Sequence, residues 1–547
     1  MKSYLRKYIW LAIPLGIALI FFSTCNFKNP TDNLKLIVNF ESVKTTVAVD
    51  FVNSKTGATI DDRTITLQVE GKDRAMAVDL TNEPASRFSV TEGLISFGIR
   101  EGVTPTPDSP LELRLIVNAA GYLPTSLPVV IDSTGSHPFS VFMVLKSDPP
   151  EGVSTTSDNS GQAGNNGAVL GAIVVSTDPE PESGCAATVT IPQGTIVTDG
   201  SGNPLQGGLT VEVTYFNSQT ESSLNSFPGG FSVNVSADPD GNPGEGVFIT
   251  AGFIVVEITD ANGRKASSFD PEITLTIEIA PGTINPETDL PVAAGDIIPV
   301  WSYDNATGEW QYEGPGVVTG PNANGNFQIS YQTGHLSWWN LDWWWWWCSL
   351  GKRIVLQGKT DCDGCLWVNV KAVWGGWTSW RYICDDFIQF YYIVPKSLPV
   401  EITAFDRWGR RVGGPLRIED LCDLTQPVMN INIQSTNTYR VFHITGTCPN
   451  KDRLDIRPSL PVWIREAGTS RWRYLGYVRN GVLEICNFEV PKRYEIKTFY
   501  RGRYYSALFD FYADYSVFVS GNYVTATASG NHVYYNVTLP DNLCNRL

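Results

Sequence analysis

The chain is cut into short apolar runs by glycine, asparagine, aspartate and proline, and that rhythm leaves few folds open to it. In "TTVAVDFVNSKTGATIDDRTITLQVEG" (residues 45–71), Val, Ile, Phe and Thr recur at every second position between turn residues, and each run is strand length. Asp199-Gly200, Asn262-Gly263 and Asp304-Asn305 are turn dipeptides set between similar runs. Stretches with helical period are scarce, and glycine (49) and proline (34) are plentiful. The pattern predicts an all-β protein of tandem β-sandwich modules, and 547 residues at roughly 150 per domain call for three or four of them.

The N-terminus has a different character. Lys2, Arg6 and Lys7 precede an apolar stretch, Ile9 to Phe22, that is shorter than the roughly 20 residues a membrane-spanning helix needs. It ends in Phe22-Ser23-Thr24-Cys25, which resembles the lipobox of bacterial lipoproteins in its loose Bacteroidota-type spelling. The resemblance implies that 1–24 is a cleaved signal peptide and that Cys25 becomes the lipidated first residue. Several acyl chains on one residue suffice for a stable membrane anchor. Asn26 stands where an aspartate would favour the inner membrane, so the expected location is the outer membrane, lipid-anchored, at its cell-surface or periplasmic face.

Formal charge is −16, which argues against a nucleic-acid partner. The charge is uneven: residues 25–347 carry 13 Lys+Arg against 38 Asp+Glu, and 348–547 carry 24 against 18. Such a switch marks a change of module. Cysteines change at the same place, since Cys348, Cys362, Cys365, Cys384, Cys422, Cys448, Cys486 and Cys544 all lie beyond it. In an oxidising compartment these are disulfide candidates, with the connectivity open, and Cys185 is left without an obvious partner.

Five stretches follow the signal. Residues 33–146 carry a "DFVNSKTGATI" hairpin and an "AAGYLP" segment, and by these they resemble carboxypeptidase regulatory-like (transthyretin-like) modules, which implies a seven-stranded sandwich without catalytic residues. Residues 147–167 have almost no apolar content and read as a flexible linker. Residues 168–348 contain "ATVTIPQGTIVTDGSGNPLQGGLTVEVTYFN", "GVFITAGFIVVEITDANGRKASSF", "IPVWSYDNATGEWQYEG" and "GHLSWWNLDW". In that order they resemble the β-rich extracellular region of the cartilage intermediate layer protein, which implies an interaction or structural module. Residues 349–435 and 436–547 read as two sandwich repeats: Trp380-Arg381-Tyr382 corresponds to Trp472-Arg473-Tyr474, Val394-Pro395-Lys396 to Val490-Pro491-Lys492, and Cys362 to Cys448.

No residue pattern points to catalysis. There is no serine elbow, zinc helix or phosphate loop, and no metal or cofactor is expected. Cys362-Asp-Gly-Cys365 has zinc-knuckle spacing but lacks a second pair, so disulfides are the expected fate. His335-Leu336-Ser337 resembles the self-cleavage tripeptide of some adhesion-receptor sandwiches, which needs a base beside the hydroxyl and a strained peptide. Asp238, Asp240, Asn242 and Glu245 alternate oxygen ligands, but an acidic turn explains them equally.

Alternation along the run Trp343 to Trp347 would turn Trp343, Trp345 and Trp347 outward as an aromatic platform, or else bury the strand between two modules. Trp472 with Arg471 and Arg473 is a second candidate surface, suited to an anionic group. The expected function is non-enzymatic adhesion, scaffolding or ligand binding at the cell surface, with a glycan or a surface protein as partner. The alternatives are a carbohydrate-binding accessory of polysaccharide uptake, and a glycan hydrolase whose paired carboxylates meet only in the fold.

Overall fold

The structure is a computed structural model that describes residues 35–41, 43–61, 64–305, 307–359, 365–433, 438–500 and 503–545; the predicted signal segment 1–24, Cys25 and Cys362 lie outside them. It is an all-β protein of packed sandwiches. Among the described residues the helical segments are single turns, Arg74–Met76, Glu221–Leu224 and Asp541–Cys544, and no helix is long and apolar enough to cross a membrane.

One connectivity occurs three times. In the first unit Thr45–Asn53 lies between its antiparallel partner Leu94–Ile99 and its parallel partner Gly135–Met143; the facing sheet runs Arg87–Ser89, Thr66–Glu70, Leu111–Asn118, Thr125–Ile131. Numbered within the unit, one sheet is 4-1-7 and the other 3-2-5-6. Counting the central region as the second unit, the same orders recur in the third, with Trp347–Gln357 as first strand, antiparallel to Phe387–Pro395 and parallel to Val428–Asn430. In the fourth unit the same pairings recur around Tyr439–Cys448, antiparallel to Val482–Cys486 and parallel to His532–Thr538, with Lys451–Pro458, Ser516–Asn522 and Val524–Ser529 added to the sheets. Trp380 lies on the third strand of its unit, Thr378–Ile383, and Trp472 immediately precedes the third strand of the other, Arg473–Val478. Tyr382 and Tyr474 meet at 5.9 Å between ring centroids.

The central region is built differently. The seventeen-residue strand Gly244–Asp260 pairs with Gly207–Phe216, with Ser232–Ala237 and with Trp338–Trp345. Because Glu309–Val317 joins Ser232–Ala237 and Ile297–Asp304 joins Trp338–Trp345, five strands close into a ring. A second sheet of Ile173–Ser176, Ala187–Ile191, Ala266–Ile279, Ile196–Asp199 and Phe327–His335 belongs to the same region. Phe227, Phe248, Phe253, Trp301 and Trp310 stack together within the core, at centroid distances from 4.8 to 6.4 Å for the pairs in contact.

Two sequence expectations need correction. The flexible linker at 147–167 contains an eleven-residue strand, Val153–Ala163, antiparallel to Gly207–Phe216. It is the last strand on its side of the sheet, so one face stays polar while Val153, Gly161 and Ala163 turn inward. Ladder hydrogen bonds to an apolar neighbour do what its own side chains cannot. The first module does not begin at residue 33, because Leu36–Phe40 runs parallel to Lys451–Pro458 on the last unit's sheet. The chain also folds back so that the fourth unit covers the first.

That contact explains why eight consecutive residues of Thr45–Asn53 are buried, where a sandwich strand should alternate. Ala48 and Leu94 point away from their own core into a cluster with Trp463, Trp472 and Tyr474. Elsewhere Lys146 ties the end of the first unit to Glu212 and Glu257 of the central sheet. The turn at Gly375 and Gly376 plugs the third unit into the central region, where the Gly376 amide donates to the Ser218 carbonyl (2.6 Å) and its carbonyl accepts from Thr250 N–H (2.9 Å). Gly376 has φ +77° and a Cβ there would lie 2.8 Å from the Thr250 carbonyl, so both the turn and the close approach require glycine.

Candidate functional site

The tryptophan run does not alternate; it emerges progressively from the core. Trp338, Trp339 and Trp343 are fully buried, Trp344 and Trp345 half-buried, and Trp346 is 77% and Trp347 40% exposed. The reason is the ring: Trp338–Trp345 pairs along its length with Gly244–Asp260 and over residues 338–341 also with Ile297–Asp304, and residues 338–343 are buried whichever way they point. Trp343 is therefore core and not part of an outward platform. Trp344 packs on Phe248 and Trp301, and its ring occupies the space where a Cβ at residue 246 would stand, so a glycine there makes room for it.

Past Trp345 one strand ends, and the next begins at Trp347. Trp346 fills the one-residue break, and the break turns both indoles outward. Strict period-two reading passes over Trp346; the boundary between two sheets at that residue was the missing information. Trp345 serves as an anchor, its indole N–H donating to the Lys396 carbonyl (2.8 Å), while the Lys396 amide donates to the Trp346 carbonyl (2.9 Å). Trp347 pairs with Pro395, and the next residue is fixed by the Cys348–Cys422 disulfide. Trp346 and Trp347 are the exposed tryptophans among the described residues, and they stand on a stiff base beside the exposed Lys396.

The second candidate surface is an internal seam. Trp472 is 3% exposed, with Arg465 at 4.5 Å and Lys497 at 4.3 Å from its ring. Arg471 forms an ion pair with Asp50 of the first unit (3.0 Å) and donates to Ser140 Oγ (3.2 Å). The Trp472 amide donates to Thr59 Oγ1 (2.8 Å). Burial holds the Asp50 carboxyl above its usual range, outweighing Arg471, Ser140 and Arg473. Burial, with Arg471 alongside, lowers the guanidinium pKa of Arg473. These residues join units, so Trp472, Arg471 and Arg473 have no open face for a ligand; their aromatic and cationic character serves a contact between two parts of the chain.

The remaining motifs resolve into structure. His335 pairs with Glu313 (3.3 Å), a hydrogen bond that raises the imidazole pKa, while Ser337 Oγ donates to the Tyr303 carbonyl and the Leu336 amide to Ser267. The base faces a carboxylate and the hydroxyl a carbonyl, an arrangement that does not activate Ser337 for self-cleavage. Asp238 Oδ1 accepts the amides of Asp240 and Asn242 (both 2.9 Å), an ordinary acidic turn. Cys365 is bonded to Cys384 and Cys448 to Cys544, Cys486 is also disulfide-bonded, and Cys185 is a buried free thiol whose pKa burial raises to about 11. Among the described residues no three His, Cys, Asp or Glu side chains converge as metal ligands.

No family model matches the chain, and no curated protein does. Among solved structures it is similar to two B repeat units of the collagen binding protein of Staphylococcus aureus (9% identity, 90% of this chain and 98% of that one, TM-score 0.13). It is also similar to the pilus adhesin SpaC from Lactobacillus rhamnosus GG (7%, 91% and 57%, TM-score 0.15). A third is the minor pilin GBS52 of Streptococcus agalactiae (10%, 34% and 93%, TM-score 0.13). At these TM-scores the superpositions carry no argument about function.

Proposed function

We propose that the chain is a non-enzymatic protein of the cell surface, held in the outer membrane by lipid on Cys25, that acts in adhesion or scaffolding by presenting Trp346 and Trp347 to a partner. The observation that carries the reading is the pair of bare indoles on a base made stiff by strand pairing and the Cys348–Cys422 disulfide. Large apolar side chains left in water on a rigid support are characteristic of recognition surfaces. Indole faces beside an exposed lysine suit a sugar ring carrying an acidic group, which favours polysaccharide retention as the second reading.

The test is binding of the purified mature chain to a panel of acidic and neutral polysaccharides and to cell-surface protein extracts, beside Trp346→Ala/Trp347→Ala. Retention on a polysaccharide that the double variant loses selects the carbohydrate reading. Retention on protein alone, lost in the same variant, selects adhesion. Release of reducing sugar by the pure protein would overturn both. Incorporation of labelled fatty acid, absent in Cys25→Ala, tests the anchor.

A further inference from the structure

Strands Gly244–Asp260 and Trp338–Trp345 run antiparallel through the ring, with Thr250 opposite Asp342. Thr250, Asn340 and Asp342 are buried, at 1%, 0% and 0% exposure. Thr250 Oγ1 donates to Asn340 Oδ1 (2.7 Å), and Asn340 Nδ2 donates to Asp342 Oδ2 (2.6 Å). The other carboxyl oxygen, Oδ1 of Asp342, has no partner. Burial raises the pKa of this carboxyl well above the usual range, against the Asn340 amide and the Ile249 backbone, and so favours its protonated form. A bulge between Thr250 and Gly252 lets the Gly252 amide donate to Thr250 Oγ1 (3.0 Å), and the Gly375-Gly376 turn closes over the Thr250 backbone.

A hydroxyl, a carboxamide and a carboxylic acid in series, inside a core of Phe and Trp, are costly as packing: each needs a partner, and one oxygen lacks it. As chemistry the order is productive. The hydroxyl touches the carbonyl end of the amide, and the nitrogen end donates to a carboxyl group that can hand it a proton once addition at Cγ has made the nitrogen basic.

We propose that Thr250 and Asn340 become the two ends of an ester cross-link that this protein forms on itself. The Thr250 oxygen adds to Asn340 Cγ while its proton passes to Oδ1, to which it is already hydrogen-bonded. The Cγ–Nδ2 bond then breaks as the nitrogen takes the acid proton of Asp342, and ammonia leaves. The proton on Oδ1 returns to the Asp342 carboxylate as the carbonyl re-forms. One C–O bond replaces one C–N bond, ammonia is the sole by-product, and Asp342 ends as it began, a general acid. Exclusion of water protects the ester from hydrolysis. The bond would join two neighbouring strands covalently across the ring, whatever partner the surface tryptophans take.

The test is the intact mass of the folded, full mature chain after disulfide reduction, with tandem mass spectrometry of its digest. The expected result is a mass short by one ammonia and a branched peptide pair joined at Thr250 and Asn340. Thr250→Ser should keep the loss, whereas Thr250→Val and Asp342→Ala should restore the full mass. A wild-type chain at full mass overturns the proposal even if the variants fail to fold. So does an ammonia loss confined to one linear peptide, which would be ring closure of Asn340 onto the following amide.

Discussion

Arg471→Ala probes the seam that closes the molecule. The guanidinium lies 3.0 Å from an Asp50 carboxylate whose side chain is 6% exposed. With Arg471 gone, Asp50 has two courses. It can stay charged and unpaired in the seam, at about 3–5 kcal/mol, or it can take up a proton. From an ordinary pKa near 3.9, protonation at pH 7 costs about 4 kcal/mol, and that caps the loss. The sign follows from linkage. An acid whose folded pKa lies above its unfolded value carries no penalty below the unfolded value and destabilises the fold increasingly as pH rises toward the folded one, by about 1.4 kcal/mol per unit. Because Asp50 already lies above its usual range in the wild type, part of this penalty is shared, and the deficit of the variant should stay below about 4 kcal/mol at pH 7 and fall below about 1.5 kcal/mol near pH 5. Urea unfolding followed by tryptophan fluorescence at both pH values measures it, and Asp50→Asn/Arg471→Met, which removes both charges, should recover most of the loss. An equal deficit at the two pH values would show that Arg471 acts by packing alone, and no deficit at all would remove the seam.

Arg440 is fully buried, its guanidinium donating to the carbonyls of Tyr439, Tyr512 and Tyr515, to Ser516 Oγ (2.8 Å) and to Asn531 Oδ1 (3.2 Å); Arg440→Met should cost about 3 kcal/mol in urea unfolding and loosen residues 512–516 to proteolysis. Cys448→Ser/Cys544→Ser opens a bridge spanning 96 residues, for which loop-closure entropy predicts a loss of about 4–5 kcal/mol, read as a lower melting temperature of the transition that includes the fourth unit. The His335–Glu313 pair raises the imidazole pKa, so its stabilisation is complete below the unfolded value of 6.5 and fades as pH climbs through the raised folded value. The ring is 44% exposed, which keeps the effect within about 1 kcal/mol, and His335→Gln should flatten that part of the stability-versus-pH curve.

Much of this was legible in the residues. Period two between turn dipeptides dictates strands whatever the tertiary context, because backbone pleating puts alternate side chains on opposite faces. The pairing of Trp380-Arg381-Tyr382 with Trp472-Arg473-Tyr474 pointed to two units alike, and these have the same strand order; that the first unit shares it has no counterpart in a motif and emerged from the sheets alone. Alternation failed where a second layer lay on the other side: Thr45–Asn53 under the fourth unit, Trp338–Trp343 inside the ring. Composition failed at Val153–Ala163, because a polar strand can borrow order from an apolar neighbour through its backbone.

Local chemistry along the chain decided which segments are strands and where they turn. Only the folded chain decided which faces are covered, since burial depends on what comes back from hundreds of residues away. Leu36–Phe40 on Lys451–Pro458, Arg471 on Asp50 and Thr250 beside Asn340 are contacts between residues whose separation in sequence carries no period, spacing or motif to read. The same long-range closure buried Trp343 and left Trp346 bare.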